Sequence, residues 1–156
     1  MDVKLLRIDE RLAHGQVITS WSKQLVTKKI LIIDDDLAND SFMCDVMKMS
    51  APTGVDVDTY TVEDACKILN EDTSNVSTII LFKDIKVAKK LADNNYEFKN
   101  LNIGNIGSAP GRKGITNRVF MSLEEIEIVK DLIEKGISVY LQMLPSDSVV
   151  DIKKLI

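Results

Sequence analysis

The chain is a succession of short apolar runs, each followed by a segment whose apolar residues return at helical spacing. Residues 3–8 read as a strand, and residues 15–26 carry Val17, Ile18, Trp21 and Leu25 on one helical face. Residues 29–34 form an apolar run of the kind found in strands covered on both sides, and the pattern over 35–49 predicts a helix. Pro52-Thr53-Gly54 then breaks the chain before an alternating strand over 55–60, and Thr61-Val62-Glu63-Asp64 has the form of a cap that opens a helix running to Asn70. Ser77–Phe82 is another buried strand, 84–94 a helix, and 101–104 a short strand that runs into a glycine-rich loop over 104–114. A second cap, Ser122-Leu123-Glu124-Glu125, precedes Ile126, Val129, Leu132 and Ile133 on one face, and Gly136 closes that helix before a last strand over 137–141.

Repeated strand–helix units of this kind predict an α/β fold: an open, mostly parallel β-sheet of about six to seven strands with helices on both faces. The 156 residues show no linker or internal repeat, so one domain over 1–156 is expected. Composition excludes several functions. Twenty Lys and Arg against 24 Asp and Glu, with both signs spread along the chain, disfavour a nucleic-acid partner. No apolar run approaches the roughly 20 residues of a membrane span, and the N-terminal residues lack the features of a secretory signal, so a cytoplasmic protein without an anchor is expected. Cys44 and Cys66 lack metal-ligand spacing and read as free, partly buried thiols. No metal and no cofactor is implied. Trp21, Met43, Met47 and Met49 lie near helical spacing with other apolar residues and read as core.

In an open α/β sheet, ligands sit beyond the carboxyl ends of the strands, where the amides of the next helix point outward. The first such turn is Ile8-Asp9-Glu10-Arg11-Leu12-Ala13-His14-Gly15-Gln16, and it holds the only histidine of the chain. One histidine alone would read as a surface residue, but its neighbours are those of a phosphate site. Arg11 and Arg7 bring positive charge, Gly15 admits close backbone approach, and the helix that begins near Gly15 offers unpaired N–H groups. A mostly neutral imidazole can attack phosphorus without a separate base, and a guanidinium can grip the phosphoryl oxygens. Asp9 is expected to orient the imidazole. Arg7, Asp35, Gly107 and Arg112 are candidates for the rim of the same site.

Other motifs are weaker. The loop over 104–114 contains neither GxGxxG nor the GK[ST] ending of a phosphate loop, so it is either a surface loop or a rim for the His14 site. Asp34-Asp35-Asp36 with Asp40 invites a receiver-type phosphoaspartate or metal reading, but carboxylates at a helix start are favoured by the dipole, and capping is the expected role.

The segment Arg7-Ile8-Asp9-Glu10-Arg11-Leu12-Ala13-His14-Gly15-Gln16-Val17, with Trp21 a turn later, resembles the phosphorylation loop RIDxRLxHGQV…W of the mannose/fructose/sorbose family of phosphotransferase system IIB components. Asp35-Asp36-Leu37-Ala38-Asn39-Asp40, Ala51-Pro52-Thr53-Gly54-Val55, Leu101-Asn102-Ile103-Gly104 and Glu134-Lys135-Gly136-Ile137 resemble further family segments in the same order, so the likeness covers nearly the whole chain. The resemblance implies a phosphotransferase: a phosphorylated IIA protein passes its phosphoryl group to His14, at Nδ1, and the IIB protein phosphorylates a sugar arriving through membrane IIC and IID partners. It also implies that Arg11 binds phosphate, that Asp9, Gly15 and Gln16 complete the loop, and that the protein associates peripherally with its permease. The sugar and any homo-oligomer stay open. One position departs from the pattern: the family often has a basic residue where this chain has Met43, which would leave Lys48 or Arg112 to compensate. The alternative reading is a non-catalytic anion-binding domain that keeps the loop only as a phosphate site.

Overall fold

The computed structural model describes residues 1–13 and 15–156. His14 lies outside the described residues. Six strands run parallel: β1 (Asp2–Asp9), β2 (Lys29–Ile33), β3 (Asp56–Tyr60), β4 (Ser77–Phe82), β5 (Asn100–Asn105) and β8 (Ser138–Leu141). They lie in the order β3-β2-β4-β1-β5-β8, and a two-residue antiparallel strand, β9 (Val150–Asp151), extends the edge. The expected open, mostly parallel sheet is present, and β9 is an addition that its length left invisible in the sequence.

Strand alternation sorts the core into two layers. Leu5, Ile30, Ile32, Ile79 and Leu81 pack with Ile18, Trp21, Leu37 and Met47 from α1 (Gln16–Gln24), α2 (Asp35–Ala38) and α3 (Ser41–Met49). Leu6, Ile8, Leu31, Ile33, Ile80 and Phe82 point the other way, onto α4 (Val62–Glu71), α5 (Ile85–Asp93) and α6 (Leu123–Glu134). The helix expected over 35–49 is therefore two. Asp40 is extended at φ −116° and its side chain accepts from the Met43 amide, which starts a new helix one residue after Asn39 closes the old one. Asp34 likewise caps α2 through the Leu37 amide, so the aspartate cluster is chiefly a pair of caps.

Met47 is buried and Met43 half-buried against the α1–α3 layer, but Met49 is 86% exposed and does not belong to the core expected of it. Cys66 is buried, where desolvation pushes its thiol up, and Cys44 is half-buried; both are free. The loop over 104–114 also differs from expectation. It ends in a small hairpin, β6 (Lys113–Gly114) with β7 (Phe120–Met121), tied back to the sheet by a bridge between Ile106 and Val119. None of the described helices is long and apolar enough to cross a membrane.

Candidate phosphoryl-transfer loop

After β4 the chain crosses to β5 on the other side of β1, so β1 stands where the winding of the sheet changes direction. A ligand crevice forms at such a point, and the β1–α1 loop opens into it. Residues 9–12 make a tight turn, with the Leu12 amide donating to the Asp9 carbonyl at 3.0 Å and the Glu10 amide to Asn105 at 3.1 Å. Leu12 is buried with φ +54°, a left-handed backbone that costs a leucine roughly 1–2 kcal/mol and is held there by its packing. Gly15, at φ +91°, caps α1 without any side-chain hydrogen bond to the helix start. The first amides of this nine-residue helix therefore have no side-chain acceptor from the cap residue.

Arg7 is expected at the rim but lies beneath the loop, wholly buried on the α1 side of the sheet. Its guanidinium donates to the Asn102 side chain, to the Gln142 carbonyl at 2.9 Å and to Asp9 Oδ2 at 3.0 Å. Trp21 covers it, with the Arg7 Cζ 5.6 Å from the ring centre, and the indole N–H donates to the Met143 carbonyl at 2.9 Å. Burial lowers the affinity of Arg7 for its proton; Asp9 opposes that fall and Arg11 adds to it.

Asp9 is the joint of the assembly. One oxygen takes Arg7, and the other accepts from the Arg11 amide at 3.0 Å and from Arg11 Nε at 3.3 Å. Among the described residues, the partners of this carboxylate are the two arginines. Arg11 Nη2 also reaches Met143 Sδ at 3.3 Å, while the Arg11 side chain remains 44% exposed at the mouth of the loop. Buried cation, shared carboxylate and accessible cation form one line from core to solvent.

Gly104 makes room for this arrangement. A Cβ there would stand 2.0 Å from Arg7 Nη2, and the register of β1 against β5 slips at this point, from Ile8 opposite Ile103 to Asp9 opposite Asn105. Gly104→Ala is expected to cost about 1–3 kcal/mol by forcing the guanidinium aside, read as a lower urea midpoint with unchanged slope.

The other candidates divide. Gly107 and Arg112 are both brought to the loop: the Gly107 amide donates to Glu10 Oε2 at 2.9 Å, and Arg112 Nη1 to Glu10 Oε1 at 2.9 Å. Asp35 makes its described contact elsewhere, its Oδ1 accepting from the Val62 amide at the start of α4 at 2.8 Å. The residues expected to compensate for Met43 are not free to do so. Lys48 lines a groove with Lys29 and Asp56 at the opposite end of the strands, and Arg112 is already paired with Glu10 and Glu125. Gln16 is exposed at the first position of α1. Sequence reading passed over Glu10, Asn102, Glu125 and Met143. Only Asn102 left a trace, as a polar residue between Leu101 and Ile103 in an apolar strand. Among the described residues no cluster of His, Cys, Asp and Glu is arranged to hold a metal ion.

A parallel sheet whose central strand ends in an arginine-flanked loop and a helix start defines a phosphoryl-handling α/β protein. Residues 3–156 match the family described as PTS system sorbose subfamily IIB component, and the chain belongs to it. The sorbose-specific EIIB component of Klebsiella pneumoniae is 31% identical over 153 residues, covering 97% of this chain and 93% of the relative. The crystal structure of the IIBSor domain of the sorbose permease from Klebsiella pneumoniae superposes with a TM-score of 0.93 at 30% identity, over 99% of this chain and 95% of that one. The mannose-specific EIIAB component of Escherichia coli K12 is 26% identical over 157 residues, all of this chain and 49% of that protein. This chain is a phosphotransferase system IIB component.

Proposed function

We propose that this chain accepts a phosphoryl group on His14 from a phosphorylated IIA protein and hands it to a sugar brought by membrane IIC and IID partners, working at the cytoplasmic face of that permease. The observation that carries the reading is Arg11: a half-exposed guanidinium fixed on Asp9 in the same loop, beside a helix start without a side-chain cap. That is the equipment phosphoryl transfer needs, since the reaction asks mainly for positioning and neutralisation of charge on the non-bridging oxygens.

In the proposed step a ring nitrogen of His14, neutral and unprotonated, attacks the phosphorus. A new N–P bond forms as the N–P bond to the donor imidazole breaks, and the donor leaves with the electron pair. Arg11 turns its fork to the phosphoryl oxygens while its backbone amide stays on Asp9, and the amides near Gly15 and Gln16 face the same anion. Asp9 serves as the anchor that keeps Arg11 aimed. In delivery to a sugar, a P–O bond forms as the N–P bond to His14 breaks, and the hydroxyl proton passes to the leaving imidazole, which returns to its neutral form. The E. coli relative named EIIAB, of which this chain matches about half, supports a IIA protein as the partner.

Phosphoenolpyruvate, the general phosphotransferase proteins and a matching IIA are expected to label the chain with one phosphate that is lost in acid and kept in alkali. A label with the opposite stability would indicate an acyl phosphate and point to the aspartates after β2. No label with any of several cognate IIA proteins would leave an anion-binding domain.

A further inference from the structure

The loop over 104–114 is held by a cluster that the phosphoryl chemistry above does not use. Arg112 sits between two carboxylates. Its Nη1 donates to Glu10 in the β1–α1 loop at 2.9 Å, and its Nε and Nη2 donate to Glu125 at 2.9 and 3.2 Å. Glu125 is itself buried and fixed, because it completes the capping box of α6 by accepting from the Ser122 amide at 3.2 Å while Ser122 accepts from the Glu125 amide at 3.1 Å. Arg112 Nη1 also donates to the Gly107 carbonyl at 3.0 Å, and the Gly107 amide returns to the second oxygen of Glu10. Any side chain at 107 would crowd that oxygen, at 2.9 Å from its Cβ.

Both oxygens of Glu10 are thus engaged from across the crevice, by residues 97 and 102 positions away in sequence. Glu10 stands between Asp9, which holds Arg11, and Arg11 itself. The paired carboxylates raise the proton affinity of Arg112, so its charge is permanent at any working pH. Without that cation, Glu10 would also present a bare negative charge one residue from the proposed phosphate-binding guanidinium.

We propose that the Glu10–Arg112–Glu125 clamp is a positioning device for the phosphorylation loop: it ties the loop to the capped, rigid start of α6 and withholds the charge of Glu10 from the incoming phosphoryl group. This inference rests on the reading of His14 as the phosphoryl acceptor. Glu10 and Arg112 touch neither phosphorus nor the imidazole in this account; they act through Arg11.

The test is single-turnover transfer from labelled phospho-IIA to the wild-type chain and to Glu10→Ala, Arg112→Gln, Arg112→Lys and the Glu10→Ala/Arg112→Gln double variant. Glu10 is partly exposed and takes no part in the capping box of α6, so its variant guards against the case in which loss of Arg112 disturbs α6. Each of Glu10→Ala and Arg112→Gln is expected to lower the transfer rate at saturating donor about tenfold, with the donor concentration at half-saturation changed by less than about twofold. The double variant is expected to be no slower than Arg112→Gln, because both changes remove one interaction. Arg112→Lys, which keeps the charge and loses the fork, should recover part of the rate. Hydrogen exchange at the Arg11 and Leu12 amides should quicken in Glu10→Ala. Unchanged rates, multiplying losses in the double variant, or unaltered exchange would each overturn the clamp. Failure of the wild-type chain itself to take label would instead overturn the His14 reading.

Discussion

His14→Ala is expected to take no acid-labile phosphate, with transfer below about a thousandth of wild type, because the chain has one imidazole and its amines and guanidiniums are protonated and not nucleophilic at neutral pH. The fold is expected to survive. The described anchors of the loop are Asp9, Glu10, Leu12 and Ala13, and the α1 face is fixed by Ile18 and Trp21, so none of them is removed. The measurement is the same labelling reaction on wild type and variant, with a urea melt of each. Retained label would move the acceptor elsewhere; a collapsed melt would make the histidine structural.

The second large effect concerns stability. Arg7→Met is expected to cost roughly 3–5 kcal/mol, a large share of the 5–15 kcal/mol available to a domain. Methionine fills some of the space, but it leaves the buried Asp9 carboxylate without its innermost partner and the buried Asn102 side chain without its cation. Removing one member of a buried pair is worse than removing both. Adding Asp9→Asn to Arg7→Met should therefore cost less than the two single losses summed, and urea midpoints of the four proteins measure the difference. Additive losses would mean that Arg7 acts through packing under Trp21 alone. Stability and transfer separate here: Arg7 carries the frame, whereas His14 carries the bond.

Much of this was legible in the sequence because it depends on local rules. The apolar runs became β1, β2, β4, β5 and β8, since a strand buried on both faces leaves few polar positions. The capping signals at Thr61 and Ser122 hold as written, through the Asp64 and Glu125 amides. The break at Asp40 was harder to see: Asn39-Asp40-Ser41 is a run of cap-type residues, but only the extended backbone of Asp40 shows that one helix ends there and another begins. The β6–β7 hairpin and β9 are two-residue strands, too short to show alternation.

At the site, the loop itself was legible and its support was not. Arg7 reads as a charged residue near a phosphate loop, and only the sheet shows that it faces inward onto Asn102 and Gly104. The Glu10–Arg112 pair joins residues 102 apart, which no spacing rule reaches. Glycine at 104 looked like the beginning of a flexible loop, yet its work is to leave a hole for a guanidinium.

Trp21 carries one more consequence. It is the sole tryptophan of the chain, and its ring lies over the buried Arg7 while its N–H is fixed on Met143, whose sulfur touches Arg11. Any rearrangement that draws Arg11 away from this group alters the surroundings of the one indole. The protein thus has a native optical probe at its working end, and the occupancy of the loop can be followed by ultraviolet emission without attaching a dye.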